Sequence, residues 1–238
     1  MNLNTSLASP AEYWQAGQIL ILNKPLGWTS FDLVKKIRYS LVHKYGIKTI
    51  KVGHAGTLDP LASGLMIICT GKATKQLDEF QGHDKEYLAD IRIGSTTPSF
   101  DLETQVDHHY PVEHINETKI LAVLKQFLGE QMQEPPLFSA KKLAGVRAYD
   151  HARNGENIVL ESRPVVFQTL ELIRWQSPDL QVRISCSKGT YVRAFARDLG
   201  KALDSGGHLI GLIRTRIGDI HLGQAMELGD FYKKLDLL

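Results

Sequence analysis

Gly53-His54-Ala55-Gly56-Thr57-Leu58-Asp59-Pro60-Leu61-Ala62-Ser63-Gly64 runs straight into the apolar stretch Leu65-Met66-Ile67-Ile68-Cys69. Three glycines, a proline and two small hydroxyl residues make the first part a loop with special backbone conformations. The apolar run reads as a buried strand, which anchors the loop to a core. Pro60 holds Asp59 in extended backbone and stops any helix there. A carboxylate on a rigid loop beside a core strand is how a catalytic acid is displayed. The same letters also describe a turn whose Asp caps backbone N–H groups. The loop alone leaves both readings open.

A chain of 238 residues, 43% of them hydrophobic, has material for one large domain or two small ones. Charge is nearly balanced, 28 basic against 26 acidic residues, so the totals announce no nucleic-acid partner. The distribution does. Between Lys24 and Lys51 seven basic residues face one acid, Asp32, a local charge of +6. Such a patch is either a phosphate footprint or a solvated helix face. Cys69 and Cys186 both sit in apolar runs, as reduced core thiols do. The first residues lack the pattern of a secretion signal, and no apolar run is long enough to span a membrane. A cytoplasmic protein with no membrane partner is expected.

Gln18–Leu22 reads as a short strand. Thr29 or Ser30 caps a helix from Phe31 to about His43, with Leu33, Val34, Ile37 and Leu41 inward and Lys35, Lys36 and Arg38 outward. Gly71-Lys72-Ala73-Thr74 lacks the earlier glycine and the hydroxyl of a phosphate-binding loop, so no nucleotide site is expected. Tyr87, Ala89, Ile91 and Ile93 alternate along a strand. Asn116 caps a helix over 117–128, with Ile120, Leu121, Leu124, Phe127 and Leu128 inward. Residues 131–157 interleave bases such as Arg147 with the aromatics Phe138 and Tyr149 around a Pro-Pro. That mixture suits an RNA-gripping arm, or else a solvated loop. His108, His109 and His114 have no zinc-like spacing, so no metal is assigned. A strand through Val182, Ile184 and Cys186 ends in Ser187-Lys188-Gly189-Thr190, and a helix follows with Tyr191, Phe195, Leu199 and Leu203 on one stripe. A strand, a turn and a helix start can receive an anion, with Lys188 at the turn. Arg193 and Arg197 lie one turn apart off the stripe, beside that turn, with a surface charge pair to Asp198 or Asp204 as the plain alternative.

Asp59 in GHAGTLDPLASG, Tyr87 in KEYLADIRIG and Arg193 in CSKGTYVRAFARDLG, in this order, resemble the TruB family of tRNA pseudouridine-55 synthases. KPLGWTS, EPPLFSAKKLAGVRAYDHAR and LIRTRIG match the same pattern, so the likeness runs from about Gln18 to Gly218. It implies an α+β fold, with a central, mostly antiparallel mixed sheet flanked by helices. Residues 1–17 become a loosely ordered extension, 18–238 the catalytic domain, and 131–157 a thumb-like RNA-binding insertion. The implied catalytic carboxylate falls on Asp59, the base-stacking tyrosine on Tyr87, and the arginine that pairs with the acid on Arg193. His54 takes the place of the histidine that helps displace the target base, and Leu212 that of an apolar pocket wall. Lys24, Lys188, Arg147 and Tyr149 complete the candidate substrate contacts. Two departures stand out: Phe138 replaces a usual tyrosine, and the chain ends soon after LIRTRIG, so no C-terminal PUA domain is expected.

The implied reaction turns uridine 55 of the tRNA T loop into pseudouridine by breaking N1–C1′, turning the uracil and rejoining it through C5. It needs no cofactor, no metal and no obligatory protein partner; the partner it implies is the T arm of tRNA. One carboxylate starts it, by attacking C1′ or by taking the C2′ proton. A guanidinium beside that carboxylate favours its ionised form against the cost of burial. Unstacking the target costs a few kcal/mol, and stacking on Tyr87 returns about 1–3 kcal/mol. A glycosidase would need a second facing acid, which no comparable loop marks. An RNA-binding or RNA-folding chaperone keeps the basic helix and the thumb but has no need of Asp59, and is the alternative.

Overall fold

The computed structural model describes residues 9–138, 142–143, 146–147 and 160–237, with the backbone alone for the two short pieces. In chain order come α1 (Pro10–Ala16), β1 (Ile19–Lys24), α2 (Ser30–Tyr45), β2 (Val52–Ala55), β3 (Ala62–Thr70), a 3-10 turn over Gly71–Gln76 and α3 (Leu77–Gly82). Then follow β4 (Lys85–Ile93), β5 (Ser95–Thr96), β6 (His108–His109), α4 (Glu117–Gln126), β7 (Gly129–Gln133), β8 (Lys142–Leu143) and β9 (Val146–Arg147). Next are β10 (Arg163–Gln176), β11 (Asp179–Cys186), α5 (Val192–Ala202), β12 (Gly207–Ile217), β13 (Ile220–His221) and α6 (Leu228–Asp236). Two compact units result, one from the residues up to His83 with those from Arg214 onward, the other from Asp84–Ile213.

In the first unit β3 is the hub. It pairs antiparallel with β1, from Ile19 opposite Cys69 to Lys24 opposite Gly64, and with β2, from Val52 opposite Thr70 to Ala55 opposite Ile67. A strand enclosed this way needs apolar residues on both faces, and Leu65–Cys69 are all fully buried. α1 packs on β3, and α2 and α3 on β2. A parallel bridge from Leu22 to Met226 makes the pairing mixed. α2 starts at a capping box between Thr29 and Asp32 and buries Leu33, Val34, Ile37 and Leu41, as its periodicity predicts.

The expectation of a loosely ordered stretch over 1–17 is corrected for residues 10–16. Ser9 and Glu12 form a capping box at the start of α1, and Trp14 is fully buried, edge-on to Phe231 at 6.1 Å. A short helix holds here because one large aromatic side chain anchors it.

In the second unit the strand order is β4-β11-β10-β7, with every ladder antiparallel. α4 packs on β10 and α5 on β4. Phe195 of α5 meets Phe127 at 5.5 Å and Phe167 of β10 at 5.2 Å, tying both helices to the sheet. A Cβ on Gly200 would lie 2.3 Å from the Gly207 nitrogen, so only glycine lets α5 lie this close to the start of β12. The inward face of α4 is Ile120, Val123 and Leu124; Leu121 and Leu128, expected inside, are exposed. α4 ends at Gln126, so Leu128 lies past the last turn, and Val123 takes the place assigned to Leu121. Burial pushes the Cys69 thiol up to about 11 and the Cys186 thiol to about 12. No described helix is long and apolar enough to cross a membrane.

Candidate active site

Asp59 is half-buried on a loop fixed from several sides. The Ser30 hydroxyl, at the first position of α2, donates to the Leu58 carbonyl (2.9 Å) and accepts from the Leu58 N–H (2.8 Å). The Gly27 N–H donates to the Pro60 carbonyl at 2.8 Å, and the Ala62 N–H closes a turn on the Asp59 carbonyl at 3.1 Å. Fully buried Arg214 holds the other flank: Nε donates to the Leu65 carbonyl (2.7 Å) and Nη2 to the Gly56 carbonyl (3.1 Å). Gly64 makes this approach workable. Its φ is +106°, and a Cβ there would lie 2.4 Å from the Arg214 carbonyl oxygen.

Two further groups share this environment. Lys24 is corrected from a phosphate contact to an internal support: it is fully buried, and its ammonium donates to the Pro25 carbonyl (2.9 Å) and to the Trp28 carbonyl. Burial lowers its pKa to about 8; the charges of Asp59 and Asp32 oppose that fall, and the Arg214 charge adds to it. His54, half-buried in β2, has its pKa pushed down by burial and by the Arg214 charge, against a backbone hydrogen bond with Gly56. Burial and the Arg214 charge thus favour the neutral imidazole.

In the second unit Tyr87 sits on β4 opposite Ile184 and is buried, as is Leu212 on β12. Arg193 is in the first turn of α5, and Gln133 of β7 fixes that turn by donating to the Tyr191 carbonyl (3.1 Å) and accepting its N–H (2.8 Å). Arg193 is buried, which rules out the alternative of a surface charge pair. Nη1 donates to the Ser99 carbonyl (3.1 Å), Nη2 to the Phe138 carbonyl (2.8 Å), and Nε lies 3.6 Å from Asp101 Oδ2. Asp101 accepts from the Ser99 hydroxyl at 2.6 Å and the Glu103 N–H at 3.0 Å. A buried guanidinium is tolerable because a carboxylate and two carbonyls surround it.

Lys188 is exposed on its turn, whose Ser187 and Thr190 hydroxyls are used within the chain. Arg147 is placed by its backbone in β9, and Tyr149 lies outside the described residues. The structure thus gathers Lys24, His54, Asp59 and Arg214 in one unit, and Arg193 and Asp101 in the other. Asp101 and Arg214 were not singled out from sequence. Their signals are modest: an Asp two residues after Ser99 in a hydroxyl-rich turn, and an arginine in step with buried Leu212 along β12. Among the described residues no group of three His, Cys, Asp or Glu is placed to hold a metal.

Residues 43–192 match the family model described as TruB family pseudouridylate synthase (N terminal domain). A Parabacteroides distasonis protein named tRNA pseudouridine synthase B is 57% identical over 222 residues, covering 92% of this chain and 94% of that one. Proteins of the same name from Phocaeicola vulgatus and Flavobacterium johnsoniae are 53% and 52% identical, over 94% and 95% of this chain and 95% and 99% of theirs. Among solved structures, a chain from a Cbf5-Nop10-Gar1 complex superposes with a TM-score of 0.70 at 28% identity, covering 96% of this chain and 59% of that one. The α+β fold is that of the pseudouridine synthases, and the chain belongs to the TruB family of pseudouridylate synthases.

Proposed function

We propose that this enzyme converts uridine 55 in the T loop of tRNA to pseudouridine, with Asp59 as the catalytic carboxylate. The observation that carries the reading is the Asp59 loop. Its carboxylate is half-buried, and Ser30, Gly27 and Arg214 hold the surrounding backbone. The relatives' shared name supports tRNA as the substrate. Preorganisation of this kind is what a carboxylate needs to meet one sugar carbon or one proton in fixed geometry.

The steps balance without any external group. The N1–C1′ bond breaks with its electron pair leaving on the uracil, while an Asp59 oxygen bonds C1′ or takes the C2′ proton. The turned base then bonds C1′ through C5, displacing the Asp59 oxygen from C1′ or, on the other route, with the proton returned to C2′; the C5 proton leaves, and N1 regains a proton. Substrate and product are isomers. Arg193 takes the role of the acid's cationic partner, Tyr87 supports the flipped base, and Leu212 contributes an apolar wall. Neutral His54 suits a wedge that fills the stack the base has left, where a charged ring would carry a desolvation cost. Lys188 and Arg147 serve phosphates, and Tyr149 serves a base or sugar, on the tRNA arm.

The test uses transcript tRNA tritiated at uracil C5, with the wild type and Asp59→Asn. Release to water by the wild type alone is expected. Binding without release by either protein would overturn the reading and favour a tRNA-folding chaperone. A second transcript carrying cytidine at position 55 checks the site, and release from it would refute the assignment to that position.

A further inference from the structure

A second arginine of α5 has no part in the steps above. Arg197 lies one turn beyond Arg193 and is buried. Asp198 grips its guanidinium through Nε (2.7 Å) and Nη2 (3.1 Å), and Nη2 also donates to the Glu134 carbonyl at 3.2 Å. The guanidinium carbon lies over the Phe100 ring, 4.8 Å from its centroid. Phe100 stands between Ser99 and Asp101, the carbonyl and the carboxylate that hold Arg193. Glu134 begins the segment that ends at Phe138, whose carbonyl is the third group on Arg193. Arg197 therefore touches two segments that hold Arg193.

Phe100 adds a second observation. Its φ is +62°, in the left-handed region that a bulky side chain rarely occupies. Such strain costs about 1–3 kcal/mol and persists only where the surroundings over-determine it. Here a ring–guanidinium stack on one side and the Leu209 N–H on the Phe100 carbonyl (2.9 Å) on the other do so. We propose that Arg197 is a positioning residue: by stacking on Phe100 and holding the Glu134 carbonyl, it sets the cradle that keeps Arg193 in its working orientation. The inference rests on the catalytic role assigned to Arg193.

A double-mutant cycle tests it, with single-turnover tritium release at saturating tRNA for the wild type, Arg197→Met, Arg193→Lys and the pair. Arg197→Met is expected to slow release about 10- to 100-fold, the scale of a small misplacement of a reacting group, with tRNA affinity within about twofold. In the Arg193→Lys background the same change is expected to cost nothing further, because its route is already cut. Arg197→Lys keeps the charge but not the guanidinium and is expected to stay slow. Equal slowing in both backgrounds, a wild-type rate in Arg197→Met, or a loss confined to tRNA affinity would overturn the inference alone. No release by the wild type would overturn the synthase reading and this inference with it. Should Arg197→Met fail to fold, Phe100→Leu removes the stacking platform while leaving α5 intact, and carries the same cycle.

Discussion

Lys24 offers a prediction with a sign and a size. Its ammonium is fully buried, and the charges acting on it belong to Asp59, Arg214 and Asp32. The drop from the ordinary lysine value of 10.5 to about 8 means that carrying the proton into the fold costs about 3 kcal/mol at neutral pH. Between those two values the unfolded chain keeps a proton that the folded one has released. Bound protons are then more numerous in the unfolded state, so this residue's contribution to stability rises with pH across that window and is flat well below it. The perturbation is Lys24→Met, which removes the titration, and the assay is urea unfolding of both proteins at pH 7, 8, 9 and 10. Groups that titrate equally in both proteins cancel in the difference. Wild type should gain on Lys24→Met by about 1 kcal/mol from pH 7 to 9 and by about 2 kcal/mol from pH 7 to 10. The carbonyls of Pro25 and Trp28, left without their donor, shift the whole difference by a constant and do not change its slope. A difference that stays level from pH 7 to 10 would refute the argument, since it would mean the ammonium titrates as in water.

Gly64→Ala forces a Cβ to within 2.4 Å of a backbone oxygen at φ +106°. It should lose about 2 kcal/mol or more of stability in urea, with tritium release falling because Arg214 must shift. Asp101→Asn removes the carboxylate that lies 3.6 Å from the buried Arg193 Nε. A loss of stability is expected in the same melts, with a fall in single-turnover rate, and an unchanged melt would show that the pair is not desolvated. Trp14→Ala should cost about 3–5 kcal/mol, the price of a cavity where a fully buried indole stood; loss of less than about 1 kcal/mol would mean that α1 is not part of the fold.

Much of the fold is legible from periodicity. The stripe Leu33, Val34, Ile37 and Leu41 defines α2, the alternation from Tyr87 to Ile93 defines β4, and the unbroken run Leu65–Cys69 marks the enclosed strand β3. Those signals are strong because each element buries one face or both against its neighbours, and burial is what hydrophobic patterning records. α1 escapes that logic. It has one buried side chain, Trp14, in seven residues, too few to set a period, and its real signature is the Ser9–Glu12 capping box. On α4 Val123 is buried and the larger Leu121 is exposed, so angular position on the helix rather than side-chain size decides which of them enters the core.

What periodicity misjudges most is the buried cation. Arg193 and Arg197 fall off the apolar stripe of α5, and Lys24 follows an apolar strand, so periodicity alone marks none of the three as buried. Each is buried, and so is Arg214. The common reason lies in what they bind, because every one of them donates to a backbone carbonyl of an irregular segment: Pro25 and Trp28 for Lys24, Gly56 for Arg214, Ser99 and Phe138 for Arg193, Glu134 for Arg197. A loop carbonyl that has no ladder partner must find a donor or lose several kcal/mol on burial. A long cationic side chain reaching in from a strand or helix supplies two or more donors at once and fixes the loop in a single geometry. The cost is desolvation of a charge, visible in the lowered pKa of Lys24 and offset at Arg193 by Asp101. Local rules are therefore broken at the positions where the loop carrying Asp59 and the segments framing Arg193 are each held still, since a long cation that fixes a loop must sit where a solvated one would not.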